Sequence, residues 1–460
     1  MPSLVGSEMC IRDRPCPDRF GGGGCSLCGT LATTARRFSS PMSSAPDPSA
    51  APEVSAPWMT LLSLVSAFAL SQAFRTVTAM MAHGLQQDFG LSTQALGFFA
   101  ATFAFSFGLS QFAVGIALDF YGLRRTWLCT FPLAILGALI SSLASNYAVL
   151  VLGQVLIGIG CSPAFVVCTL FIARRFPAQR FAAISGMAMG MGGLGLMLTG
   201  TPLAWLIDVS SWRVAFAALT ALACVSWLLV YRHLREGLAA THHRPDSLGH
   251  ALRGFGALFL LPQTWGILLL ALVNYASFLT LRGLWLGPLL MHRHGLSLVE
   301  TGNVALLVSL LSLFTPALFG HFDPGTARRR QWIVRAVLTM TTVFVFMALV
   351  PLAWIDLGGM VVLAVLSGAG ILQYANVRAS YSPEMSGRAM SVFTMAMFLG
   401  VALVQSFSGF AASWSQSLGQ DPYAGVLLSV ASLLALGALA FRLLPVAQPR
   451  GGVASTKATE

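Results

Sequence analysis

From Trp58 onward the chain alternates long apolar runs with short polar breaks. Twelve runs come close to or exceed the roughly 20 residues a helix needs to cross a hydrocarbon core. They cover 58–82, 94–118, 126–146, 147–172, 182–208 and 212–231, then 264–290, 298–320, 331–354, 357–379, 387–412 and 423–444. Most breaks are short; the longest, 232–261, is polar and basic and separates the sixth run from the seventh. The pattern predicts an all-α membrane protein with twelve transmembrane helices in two six-helix bundles, 57–231 and 262–445. Residues 232–261 form the linker, and 1–56 and 446–460 are expected to be disordered tails.

Composition strengthens this picture. Charged residues are 9% of the 460-residue chain and hydrophobic residues 56%, with a mean hydropathy of +0.76. A soluble protein of this size would lack the charge to cover its surface. Soluble enzymes, nucleic-acid binders and extended disordered proteins are thereby excluded. The formal net charge is +11, carried by 26 Arg and one Lys against 16 acidic residues. Fourteen Arg fall on one side of the predicted membrane: Arg124, Arg125, Arg174, Arg175, Arg180, Arg232, Arg235, Arg244, Arg253, Arg328, Arg329, Arg330, Arg378 and Arg388. Arg213 and Arg293 fall on the other. The positive-inside rule makes the first side, with both termini and the linker, cytoplasmic.

The N-terminal region carries little of this logic. Met1 to Arg14 resembles read-through of a sequencing adapter and is set aside, which places the expected start at Met42 or Met59. Residues 15–56 are rich in Gly, Ser, Ala and Pro. Of eight Cys, four (Cys10, Cys16, Cys25, Cys28) lie there, and Cys129, Cys161, Cys168 and Cys224 lie in apolar runs. Cys25-x-x-Cys28 has no compact core around it, so no metal is expected. The membrane cysteines read as small packing residues.

The two halves repeat each other. Phe89-Gly90-Leu91-Ser92 pairs with His294-Gly295-Leu296-Ser297, Asp119 with Asp323, and Arg124-Arg125 with Arg328-Arg329, at offsets of 205, 204 and 204 residues. A near-constant offset argues for two parallel repeats with a site at their interface. The loop Gly115-Ile-Ala-Leu-Asp119-Phe-Tyr-Gly122-Leu-Arg124-Arg125 resembles the G-x-x-x-D-x-x-G-x-R-R signature of the major facilitator superfamily, at the same place between the second and third helices. The resemblance covers about 57–445 and implies transport by alternating access, without cofactor or covalent chemistry. It implies that Gly115, Asp119, Gly122, Arg124 and Arg125, with Asp323 and Arg328 in the second copy, serve the conformational cycle rather than the solute. Gly115 would allow close helix approach, Gly122 a tight turn, and Asp119 an ion pair with a loop Arg.

Two charges remain deep in the apolar runs: Arg75 in the first and Arg282 in the seventh, 207 residues apart. An unpaired guanidinium at that depth costs several kcal/mol, so each is expected to face the interior. Ser71, Gln72 and Thr78 share the helical stripe of Arg75, and Tyr275 and Trp285 that of Arg282. Gly287-Pro288 is expected to disrupt the end of the seventh helix. Arg presents a planar fork matched to carboxylate or phosphate. The pairing is similar to that of the organophosphate/phosphate antiporters, whose first and seventh helices each bring an Arg to the substrate. By that resemblance Arg75 and Arg282 are anion ligands; the alternative is that each neutralises a buried acid or snorkels outward. Asp88 and Glu300, near the outer ends, are candidate gating partners.

Asn274 and Tyr275 in the seventh helix, and Gln373, Tyr374 and Asn376 in the tenth, are candidate hydrogen-bonding groups for the solute, with Gln72 beside Arg75. Interhelical bonding is the competing role for each. His83 lies near the outer end of the first helix. The fourth helix carries Gln154-x-x-x-Gly158 where many proton-coupled relatives carry an Arg, and no carboxylate lies deep in helices one, four, seven or ten. That weakens proton symport. The leading expectation is a monomeric carrier of a small organic anion in a bacterial inner membrane. A permease for a neutral or zwitterionic solute with a structural Arg pair, and a non-transporting sensor, are the alternatives.

Overall fold

A computed structural model describes residues 57–177, 180–234, 256 and 258–445, leaving aside the side chains of residues 119, 181–183, 383, 384 and 386. The predicted tails and most of the predicted linker lie outside the described residues. Twelve helices are long and apolar enough to cross a membrane. They are α1 (Pro57–Thr76), α2 (Thr93–Leu118), α3 (Phe120–Ser142), α4 (Tyr147–Arg175), α5 (Ile184–Val209) and α6 (Trp212–His233) in the first half. The second half holds α7 (Pro262–Arg293), α8 (Leu298–His321), α9 (Thr326–Leu349), α10 (Ala353–Ser380), α11 (Gly387–Ser417) and α12 (Pro422–Leu443). No strand occurs among the described residues.

Side chains such as Phe105, Leu109, Phe314, Phe346 and Leu436 are exposed on the outside of the bundle. They are the lipid-facing counterpart of the buried core. Because lipid is as apolar as leucine, cohesion between helices comes from close packing, and small residues set it. A Cβ on Gly195 of α5 would overlap the Ala69 carbonyl of α1, and one on Gly400 of α11 the Leu272 carbonyl of α7. Each half is thus sewn together by backbones that nearly touch.

The helices that line the axis are interrupted. α1 breaks at Val77 and continues as Thr78–Phe89. α4 breaks at Ser162-Pro163, where proline removes a backbone donor. α10 breaks at Gly368-Ala369. At Gly287-Pro288, where the sequence predicts a disruption, α7 is irregular but does not stop. Instead it runs on to Arg293 through two wide π-turns, Leu281–Trp285 and Leu289–Arg293, the kind of irregularity that marks functional stretches of helices. Non-helical backbone at membrane depth is tolerated where protein or a cavity surrounds it.

The halves meet where α2 packs on α11, α5 on α8 and α1 on α7. Hydrogen bonds join them at mid-depth and toward the face away from Pro57 and Leu443. They include Thr93 to Ser413 at 2.8 Å and Thr201 to Asn303 at 2.6 Å. A Cβ on Gly287 of α7 would overlap the Ala79 carbonyl, so the two halves touch backbone to backbone there. Of the loop arginines among the described residues, that face carries only Arg213 and Arg293, and it is called the Arg-poor face below.

Candidate functional site

Arg75 lies in the last turn of α1, two residues before the Val77 break. Its guanidinium lies beside a pair of touching phenyl rings, 4.6 Å from the centroid of Phe107 on α2 and 4.7 Å from that of Phe398 on α11, whose own centroids are 4.3 Å apart. Its Nη1 donates to the Tyr275 hydroxyl of α7 at 3.4 Å, a long bond, and its Nε is buried without a partner. The charge also acts on Cys161 of α4 and Tyr374 of α10. Six helices, three from each half, therefore converge on one cation. Rings packed on one side attract the guanidinium through their π electrons while leaving its other edges free to donate.

Amide groups around this cation are also short of partners. Gln72 Oε1, Asn274 Oδ1 and Gln373 Nε2 are buried with no hydrogen bond, as is Gln154 Nε2 on α4. Each such group costs about 1–3 kcal/mol. Asn274 faces α10 beside Gly370, one turn from Gln373. The ring of Tyr374 meets Phe393 edge-on at 4.9 Å, and Asn376, two residues further along, is half-buried. Unsatisfied donors and acceptors around a half-buried cation form a site that can accept an anionic, hydroxyl-bearing molecule.

Arg282 behaves otherwise. It is 1% exposed, and its Nε donates to Ser309 Oγ of α8 at 2.9 Å. One terminal nitrogen donates to the Leu196 carbonyl at 3.0 Å and to Thr199 Oγ1 at 3.4 Å, both on α5. Thr199 in turn bonds Thr76 at 2.7 Å. The other terminal nitrogen is buried and unpaired. The two arginines stand on touching stretches of α1 and α7, because a Cβ on Gly283 would lie 3.0 Å from the Arg75 carbonyl. Arg75 faces α2, α7 and α11, whereas Arg282 is inserted between α5 and α8.

Neither outer carboxylate bridges the halves. Asp88 is engaged by Arg213 and by Trp212 Nε1, both of its own half. Glu300 closes a capping box with Ser297 at the start of α8. A buried acid does exist: Asp356, fully enclosed at the start of α10, is bonded by Arg293 at 3.0 Å and His294 at 2.6 Å. It stands one residue before the tenth apolar run as read from sequence, which is why it went unnoticed as a membrane acid.

The loop motif is arranged differently in its two copies. Gly122 and Gly325 both hold φ +76°, a backbone region that favours glycine. In the second copy Asp323 accepts from Arg329, with contacts of 2.6–3.2 Å, while Arg328 is exposed. Arg329, not Arg328, is therefore the partner. It also reaches the Ala375 carbonyl of α10 at 3.4 Å. Arg329 holds the Asp323 carboxyl below the usual carboxylate range. In the first copy the Asp119 side chain lies outside the description, Arg124 sits over the Tyr231 ring of α6 at 5.7 Å and Arg125 is exposed. Gly115, expected to let helices approach, faces open space.

Sequence reasoning missed Phe107 and Phe398, which look like ordinary apolar positions. It also missed that His83 has a counterpart in the second half. His83 Nδ1 lies 3.0 Å from His292 Nε2, and their spacing of 209 residues is close to the 207 between the two arginines.

Twelve membrane-crossing helices in two repeats around a polar centre define a secondary transporter built for alternating access. The chain belongs to the Major Facilitator Superfamily, whose family model matches residues 64–405. It is similar to the hexuronate transporter of Bacillus subtilis, 24% identical over 62% of this chain and 69% of that protein. It is also similar to the probable L-galactonate transporter of Escherichia coli, 22% identical over 80% of this chain and 85% of that protein. Among solved structures it resembles a nucleoside transporter (TM-score 0.67, 14% identity, covering 84% of this chain and 98% of that one). It resembles a D-xylose–proton symporter as well (TM-score 0.65, 15% identity, covering 86% and 99%). The protein is an integral membrane transporter and not an enzyme.

Proposed function

We infer that the protein carries a small organic anion of the sugar-acid type. The observation that carries this reading is Arg75: a half-buried cation with one long hydrogen bond, no carboxylate partner among the described residues, and two rings packed against one side of it. A carboxylate meeting it makes charge-assisted bonds with Nε and the terminal nitrogens, and Gln72, Asn274, Tyr275, Gln373, Tyr374 and Asn376 offer donors and acceptors for hydroxyls. The names of the two curated relatives, both carriers of sugar acids, support the same class. Arg282, whose donors are mostly taken, has one free nitrogen and contributes positive potential rather than a fork.

The halves rock about this centre. In the conformation described, the Arg-poor face is closed, and the positive-inside rule makes the opposite, Arg-rich face cytoplasmic in a bacterial inner membrane. Asp323 and Arg329, with Asp119, Gly122, Arg124 and Arg125 in the first copy, brace that face during the cycle.

The test is uptake of labelled galacturonate and galactonate into proteoliposomes, with D-xylose as the neutral control. Uptake of the acids is expected to exceed that of the neutral sugar. Arg75→Lys should lower it by about 10–100-fold, the worth of one or two charge-assisted bonds. Equal transport of neutral sugar, or unchanged uptake by Arg75→Lys, rejects the anion reading.

A further inference from the structure

We propose that His83 and His292 form a proton-operated clasp between the two halves at the Arg-poor face, which accepts one proton and opens on the second. The proposal rests on geometry independent of the solute. His83 belongs to the Thr78–Phe89 continuation of α1 and His292 to the last wide turn of α7. The two rings meet edge to face with centroids 5.2 Å apart.

The bonds around them run in one direction. Gln87 Nε2 lies 2.9 Å from His83 Nε2, and His292 Nδ1 lies 2.9 Å from the Tyr423 hydroxyl of α12. With Gln87 donating, His83 Nε2 accepts, so its proton sits on Nδ1 and points at His292 Nε2. His292 then carries its proton on Nδ1 and donates to Tyr423. Two neutral rings are thus fixed in tautomer by their neighbours.

A first proton from the water at that face binds His83 Nε2. Gln87 turns its amide so that Oε1 accepts, and His83 becomes a cationic donor to His292, a stronger bond than before. A second proton has only His292 Nε2 to bind. That would set N–H against N–H across 3.0 Å and two cations against each other. The rings must part, and the two halves with them.

The surrounding charges do not relieve this repulsion. Asp421 at the start of α12 is paired with Arg293 at 2.9 Å, and Asp356 with Arg293 and His294. Asp88, on the same segment as His83, is taken by Arg213 of α6, and Glu300 of α8 by its cap. Asp208 is exposed at the end of α5. Closure is therefore held while the pair carries at most one proton and is lost as falling pH adds the second.

The experiment measures the distance across the Arg-poor face by pulsed electron paramagnetic resonance in nanodiscs. Spin labels are placed on Ser145 and Gln416, exposed at that face in opposite halves, in a chain whose eight native cysteines are replaced. A longer-distance population is expected to grow as pH falls from about 8 to 5, the range in which histidine titrates. His83→Gln and His292→Gln, which keep a neutral hydrogen-bonding group, should each abolish the growth, while His294→Gln should retain it. No lengthening in the parent chain, or lengthening that persists in both glutamine variants, overturns the proposal. So does a response that disappears in His294→Gln alone.

Discussion

Arg75 and Arg282 occupy nearly equivalent places in the two repeats, yet the fold treats them oppositely. Arg75 sits at a helix break, half-open, with one long bond. Arg282 sits in a wide turn, fully enclosed, with three bonds to α5 and α8. A cation that is short of partners is kept ready for something that arrives; a cation whose donors are mostly taken holds its surroundings together. Repeat symmetry supplied two arginines, and the asymmetry of packing divided their labour.

Substitutions at the two positions sharpen this contrast most. Arg75→Lys should reduce anion uptake by about 10–100-fold with little change in the melting temperature of purified protein. Arg282→Leu should lower that temperature by several degrees, because Ser309, Thr199 and the Leu196 carbonyl each lose a charged donor, at about 1–3 kcal/mol apiece. A thermal melt beside an uptake assay reads both. If the two variants lose uptake and stability in the same proportion, the division fails.

The close glycine contacts extend the comparison from side chains to backbones. Gly195 is pressed against α1 within one half, whereas Gly287 is pressed against Ala79 between halves. Gly195→Ala should therefore destabilise the protein in every conformation. Gly287→Ala should chiefly displace the closed Arg-poor face, seen as a longer Ser145–Gln416 separation at pH 7. A smaller effect concerns Asp323. Its carboxyl is held low by Arg329, so the pairing stabilises at neutral pH and is lost as pH falls through that lowered value. In Asp323→Asn the melting temperature should fall at pH 7 and respond less to acid. The smallest effect is expected at Asp88, whose ion pair with Arg213 is about two-fifths exposed on each side. Asp88→Asn should change stability by at most about 1 kcal/mol.

Much of this architecture was legible before any coordinates. Twelve apolar runs are a one-dimensional signal, since a helix in lipid must be apolar over its whole length. The six-plus-six division and the loop motif are likewise read from spacing alone. The start of α10 shows the limit: hydropathy excluded Asp356 from its span because a carboxylate looks like loop, whereas Arg293 and His294 make it part of the buried helix end. The motif shows another, because the sequence offers Arg328 and Arg329 equally and only the turn at Gly325 brings Arg329 to Asp323.

The sequence by itself determined that the chain crosses a membrane twelve times, repeats itself and holds two arginines at depth, for these follow from the hydration cost of each residue along a line. Which arginine has most of its donors taken, which phenyl rings lie against the other, and that two histidines 209 residues apart touch were decided only by tertiary structure. Those facts depend on which faces of separate helices meet, and the order of residues along one helix carries no record of what the next will present to it.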